Sequence, residues 1–188
     1  MLPLHMVTKF LKVYAFIDSQ NLNYSIKKDI VRRNKRVYVG WKIDMQLFYV
    51  YLKDKFRVKK VFLFIGYVPE NKRMYDSFKS FGYELIFKPT IKDPAGKVKG
   101  NVDAEIVLHS VRLKYDEYEK GIFVSGDGDF HCLYEFLEKE RRPFHIIIPN
   151  QLTASSLLRK FDKSKIFIQR KREILEFKTG RRRSVPRR

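Results

Sequence analysis

Short apolar runs alternate with helix-period stretches along almost all of this chain, and one run is apolar on both of its faces. Val61-Phe62-Leu63-Phe64-Ile65 has no polar side to turn to water, so as a strand it must be covered from above and below. A parallel sheet with helices on both faces provides that cover. The spacing predicts further strands over Lys12 to Asp18, Tyr83 to Lys88, Gly121 to Val124 and Phe144 to Ile148, with a last extended piece at Ile166 to Ile168. Between them it predicts a helix through Leu22, Ile26 and Ile30, then helices over Trp41 to Phe56, Asn71 to Phe81, Val102 to Tyr118 and Gly128 to Arg141, and a short one over Thr153 to Phe161. A lysine-rich loop, Pro89 to Asn101, holds Pro94, Gly96 and Gly100. The fold class expected is α/β: a Rossmann-like α/β/α sandwich around a mainly parallel sheet.

A length of 188 residues fits one domain with a substantial core. The expected division is a body over residues 1–168 and a basic extension over 169–188, partly helical and then disordered from about Gly180. The single cysteine, Cys132, excludes a disulfide framework or a cysteine-based zinc site and is expected on the buried side of its helix. Apolar runs stop at about six residues, where a membrane span needs roughly twenty. The stretch Met1 to Met6 is too short an apolar run before Lys9 to act as a signal peptide. The expected location is the cytoplasm.

Charge narrows the partner. The chain holds 40 Lys and Arg against 21 Asp and Glu, a net of +19. Residues 169–188 hold nine bases and two acids, a net of +7, so the body keeps the other +12. A body this basic favours a polyanion, because each phosphate neutralised releases condensed counterions.

Against that background several acids sit at strand-to-helix turns. Asp18 closes the first strand, Asp103 opens a helix, and Ser125-Gly126-Asp127-Gly128-Asp129-Phe130 follows the strand Gly121 to Val124. A single Asp at such a turn is often an N-cap. Capping accounts for one acid of the Asp127/Asp129 pair and leaves the other unassigned. If the strand Gly121 to Val124 lies beside the first, all four carboxylates meet at the carboxyl edge of the sheet, where ligands of such folds bind. Like charges gathered there raise their pKa values or recruit a cation. Oxygen donors without a His or Cys cluster suit Mg²⁺ or Mn²⁺, which can supply a nucleophile from water for attack on a phosphodiester.

Three blocks carry a family resemblance: Phe16-Ile17-Asp18-Ser19-Gln20-Asn21-Leu22, Lys99-Gly100-Asn101-Val102-Asp103, and Val124-Ser125-Gly126-Asp127-Gly128-Asp129-Phe130. Together they resemble the signature blocks of NYN domains, the PIN-like nucleases that include the bacterial LabA-like proteins, over about Val13 to Ile168. The resemblance implies a PIN-like fold and metal-dependent RNA cleavage. It assigns Asp18, Asp103, Asp127 and Asp129 to the cation, Asn21 to orienting the first carboxylate or a water, and Ser125 to water or phosphate. Glu105 can match a further family acid, whereas His109 stands where another Asp is expected.

Around these residues, Lys92, Lys97 and Lys99 can hold a substrate backbone, His131 and Arg159 can contact substrate, and Tyr24, Tyr38 and Trp41 can either stack bases or pack. His109 suits a structural or substrate-contact role better than a ligand role, since no second His lies at ligand spacing. The rival readings are an RNA-binding module without catalysis and a DNA nuclease of the same fold. A serine hydrolase and a P-loop enzyme lack their motifs, Gly-x-Ser-x-Gly and Gly-x-x-x-x-Gly-Lys-Ser/Thr. The sequence leaves the oligomeric state open, with a homodimer as one option.

Overall fold

The computed structural model describes residues 11–88, 91–92, 98–99 and 102–179. From the amino end these form β1 (Val13–Asp18), α1 (Ser19–Lys27), a hairpin of β2 (Ile30–Arg32) and β3 (Lys35–Tyr38), α2 (Met45–Phe56), β4 (Val58–Gly66), α3 (Lys72–Phe81) and β5 (Tyr83–Lys88). The short strands β6 (Ile91–Lys92) and β7 (Val98–Lys99) precede α4 (Asp103–Leu108), β8 (Lys120–Val124), α5 (His131–Lys139), β9 (Phe144–Ile148), β10 (Lys165–Phe167) and α6 (Arg172–Leu175).

Six strands make one sheet in the order β10-β9-β8-β1-β4-β5, and every pairing in it is parallel. The chain builds outward from β1 through β4 to β5, then crosses back to build β8, β9 and β10 on the other side. The switch in strand order therefore falls between β1 and β8, where Ile17 is in register with Val124. That places the turns after both strands side by side, as the convergence of the acids requires.

Alternation along each strand divides the core into two layers. Val13, Ala15 and Ile17 join Leu22 and Ile26 of α1, Phe48 and Leu52 of α2, and Val61 and Leu63 of β4. Tyr14 and Phe16 join Phe62 and Phe64, Ile106 of α4, and Leu133, Tyr134 and Leu137 of α5. Burying both sides of Val61 to Phe64 in this way offsets the absence of a polar face on this part of β4. At about 25 cal/mol per Å² of apolar surface, each fully buried Phe or Leu contributes roughly 2 kcal/mol.

Several boundaries differ from the sequence reading. The first helix stops at Lys27, and Ile30, expected on its stripe, begins β2 instead. The second helix starts at Met45 rather than Trp41, because Asp44 caps it by accepting hydrogen bonds from the amides of Gln46 at 2.9 Å and Leu47 at 3.2 Å. Trp41 is buried before the helix, its amide bonded to the Ile26 carbonyl, so it packs. The helix expected over Val102 to Tyr118 is broken. After α4 the backbone widens into a π turn at His109–Leu113 and closes with a 3-10 turn at Tyr115–Glu117. The buried Tyr118 hydroxyl donates to the Ser110 carbonyl at 2.9 Å, taking an acceptor from the ordinary ladder.

Cys132 is exposed, against expectation. The buried face of α5 is set by Leu133, Tyr134 and Leu137, which turns Cys132 outward. The residues Thr153 to Phe161, expected as a helix, form 3-10 geometry over Ser156–Ser164. Residues beyond 168 dock on the body: Leu175 is buried, its carbonyl accepts from Asp44, and the Phe177 amide donates to the Lys42 carbonyl. The segment from Gly180, expected to be disordered, lies outside the described residues.

Candidate metal centre

The carboxyl edge at the switch point collects the acids. Asp103, Asp127 and Asp129 each present a carboxylate oxygen, and these oxygens lie within 4.8 Å of one another. Asp103 comes from the first turn of α4; the other two come from the turn after β8. Asp103 and Asp127 are half-buried and Asp129 is exposed. Among the described residues no other trio of His, Cys, Asp or Glu donors is this close.

Asp18 belongs to the same edge but not to that trio. It is 4% exposed at the end of β1. One carboxylate oxygen caps α1, accepting from the Asn21 amide at 2.9 Å, and the other faces the Ser125 hydroxyl at 3.5 Å, the long limit of a hydrogen bond. Burial, the largest influence, pushes its pKa up to about 6. The Asn21 amide opposes that shift, while the charges of Asp103 and Asp127 reinforce it.

The turn after β8 is held by its own polar groups. Ser125 is buried, accepts from the Asp127 amide at 3.2 Å and faces Asp18, so it links the two strand ends. Asp127 caps the next turn by accepting from the Asp129 amide at 3.1 Å. That leaves Asp129 without a capping duty, consistent with one acid of the pair being surplus to the turn. Asn21 supplies the second link, its side-chain oxygen accepting from the Gly126 amide at 2.9 Å. Its side-chain carbonyl is thereby directed at the neighbouring turn.

One feature here was outside the sequence reading. Tyr134 is completely buried with no hydrogen-bond partner for its hydroxyl, and its pKa is raised by burial first and then by the charges of Asp18 and Asp127. An orphaned hydroxyl thus sits within electrostatic reach of the acids. The spacing Phe130, Leu133, Tyr134, Leu137 marks it as core, but nothing in the pattern shows where the hydroxyl ends. Ser155 reaches the same turn: its amide donates to the Gly126 carbonyl at 3.0 Å, and its hydroxyl faces Gly128.

The remaining candidates are distributed around this edge. His131 turns toward Glu135, with Nδ1 3.5 Å from the carboxylate, and packs its ring 5.4 Å from Phe161. Arg159 is exposed on the turn Ser156–Ser164. Lys97 lies outside the described residues, while Lys92 and Lys99 are described only as backbone of β6 and β7. His109 is not in the trio; its ring meets Phe64 edge-on at 5.3 Å, its Nδ1 is buried without a partner, and burial lowers its pKa. Glu105 interacts electrostatically with His109. Tyr38 donates to the Ile26 carbonyl, whereas Tyr24 is 61% exposed.

The NYN domain family model matches residues 12–169. This chain belongs to the NYN domain family. A structural comparison agrees on the fold: the crystal structure of a protein of unknown function from Vibrio parahaemolyticus superposes with a TM-score of 0.67 at 20% sequence identity, covering 87% of this chain and 96% of that one. No curated protein matches. The NYN family is one of PIN-like nucleases, and this member carries an acidic cluster able to hold a metal ion at the edge where such a fold binds ligands. Among the described residues no helix is long and apolar enough to cross a membrane.

Proposed function

We propose that this NYN protein is a cytoplasmic, divalent-cation-dependent endoribonuclease that hydrolyses phosphodiester bonds in RNA. The observation that carries the reading is the trio Asp103, Asp127 and Asp129, drawn within 4.8 Å beside the buried Asp18. Three like charges this close are unfavourable unless protonated or bridged by a cation. The donor set is all carboxylate oxygen, which fits Mg²⁺ or Mn²⁺ and not a thiolate-seeking metal. When bound, such an ion supplies a water-derived nucleophile near neutral pH and neutralises charge developing on phosphoryl oxygens.

In this reading the chain's own residues divide the work. Asp103, Asp127 and Asp129 hold the ion. Asp18 adds a fourth carboxylate, oriented by the α1 cap and by Ser125. Asn21 and Ser155 brace the Gly126–Gly128 turn. The net charge of +19 draws and retains a polyanion without regard to sequence.

The test is cleavage of labelled single-stranded RNA, with a DNA strand in parallel, in Mn²⁺ or Mg²⁺, against EDTA and Asp129→Asn. Cleavage that needs both the ion and Asp129 is the expected result. Cleavage surviving EDTA or the substitution refutes the assignment. RNA retained without cleavage in every divalent ion favours the binding-module reading, which His109 at a position where the family resemblance expects an acid supports.

A further inference from the structure

At the end of α1 away from Asp18, the described surface carries a dense patch of cations. Lys27, Lys28, Arg32, Arg33, Lys35 and Arg36 fall within ten residues, through the end of α1 and the β2–β3 hairpin, with a single acid, Asp29, among them. All six are exposed. Asp29 is engaged by Arg36 at 3.3 Å and by the Gly40 amide at 2.8 Å, so it offsets only part of the charge.

The hairpin exposes the side chains of residues 31–37 to solvent. Arg33 and Asn34 both take left-handed backbone angles, φ 47° and 57°, which makes the tight two-residue turn that suits the twist of a β-ribbon. Val31 and Val37 are 61% and 47% exposed, so its face is not packed into either core layer. Two contacts hold it, one at its base and one beside its turn. The Tyr38 hydroxyl donates to the Ile26 carbonyl at 2.9 Å, and the Arg32 guanidinium donates to the Leu152 carbonyl at 3.1 Å. The second matters most. Leu152 lies in the loop after β9, and Ser155 of that loop bonds Gly126, the neighbour of Asp127. The arm is thus tied to the acid turn.

The outer face of α1 joins the two places. This helix starts directly after Asp18 and runs roughly 13 Å toward the hairpin. Gln20, Asn23, Tyr24, Lys27 and Lys28 line a shallow groove of about 430 Å³ along it. Tyr24 presents its ring to solvent, with the Lys28 ammonium 5.2 Å from the ring centre.

We propose that α1 and the hairpin form the track on which a single-stranded RNA lies as it reaches the carboxylates, with Tyr24 stacking a base and Lys27, Lys28, Arg33 and Lys35 contacting phosphates. The proposal rests on the nuclease reading and gives it a binding surface. Aromatic stacking between lysines is the arrangement that grips single strands without reading sequence. The exposed valines would also suit pairing with a second copy, but that would set two strongly positive hairpins against each other. Charge decides for the polyanion.

The test uses the full chain in EDTA and a 5′-fluorescein single-stranded RNA of about 20 nucleotides, with polarisation read across a salt series. Neutralising three cations in Lys28→Gln/Arg33→Asn/Lys35→Gln should reduce the slope of log affinity against log salt by about 2, at about 0.7 for each phosphate left unneutralised. The same neutralisation on α3, Lys72→Gln/Arg73→Gln/Lys79→Gln, should leave the slope unchanged. Tyr24→Ala should weaken binding roughly tenfold. If the wild type binds and the hairpin and α3 triples behave alike, the track is wrong and the nuclease reading stands. If the wild type binds no nucleic acid at low salt, the nuclease reading fails and the track with it. If the hairpin triple instead changes a dimer to a monomer by light scattering at unchanged RNA affinity, the arm joins copies of the chain and the proposal is overturned.

Discussion

The side-chain oxygen of Asn21 accepts the Gly126 amide proton at 2.9 Å, joining the turn after β1 to the turn after β8. Asp18 and Asp127 each lie within three residues of this bond. Asn21→Ala leaves a buried N–H without a partner, which costs on the order of 1–3 kcal/mol. Asn21→Asp keeps an acceptor and, compared at pH 4 where the added carboxyl and the raised Asp18 are largely uncharged, should recover most of that loss. Urea unfolding of the three proteins in EDTA measures the difference, and equal midpoints for Ala and Asp would show that the link contributes nothing to stability.

Asp18 gives the fold a pH dependence of definite sign. Its folded pKa is raised from the ordinary 3.8 to about 6, with burial the main cause, so between those values the native state binds more protons than the unfolded chain. Its contribution is most favourable below pH 3.8 and falls as pH rises, with the full loss reached above pH 6. A shift of that size corresponds to roughly 3 kcal/mol at most. Asp18→Asn, which keeps the capping oxygen, should raise the unfolding free energy in EDTA at pH 7.5 by about 1–3 kcal/mol and change it little below pH 4. A variant that is destabilised at pH 7.5 would show that Asp18 is not carrying an unfavourable buried charge.

The sheet and its acids were legible in the sequence because burial leaves a periodic trace. Val61 to Ile65, apolar on both faces, specified a doubly covered parallel strand, and Asp18 and Asp127 could be placed at strand ends without knowing a single contact. The β2–β3 hairpin left no such trace. Its strands are three and four residues long and mostly exposed, and its turn is Arg33-Asn34 instead of a glycine-containing pair. The π turn at His109 depends on where the Tyr118 hydroxyl goes, a tertiary contact eight residues away. Likewise the Tyr134 hydroxyl ends at a place that only the folded turn after β8 creates.

Gly128 is needed for space. A Cβ added there would lie 2.4 Å from Ser155 Oγ and 3.0 Å from Ser155 Cβ. Gly128→Ala should therefore destabilise by about 1–3 kcal/mol through overpacking. Combining it with Ser155→Gly opens the contact and should return part of the loss. A thermal-melt double-mutant cycle gives the coupling, and additive effects would place the strain elsewhere.

The Tyr134 hydroxyl is buried, unpartnered and close enough to Asp18 and Asp127 for their charges to raise its pKa. Removing an unsatisfied polar group without changing the ring shape is neutral or stabilising. Tyr134→Phe should therefore leave the unfolding free energy in EDTA equal to or above that of the wild type. A loss above about 1 kcal/mol would mean that the hydroxyl has a partner, an ordered water being the simplest candidate.

Cation binding at the trio has a signature independent of catalysis. An ion that binds only the native state stabilises it by RT ln(1 + [L]/Kd), about 2.7 kcal/mol at a hundredfold excess over Kd. Wild-type protein should therefore melt at higher temperature in millimolar Mn²⁺ than in EDTA. In Asp103→Asn or Asp129→Asn the increment should shrink or vanish, because each removes one of three carboxylates lying within 4.8 Å. The same substitutions relieve repulsion, so in EDTA they should match or exceed the wild type. Opposite effects of one substitution with and without the ion separate a cation site from carboxylates that only cap helices. Equal shifts in both conditions would place the cation elsewhere.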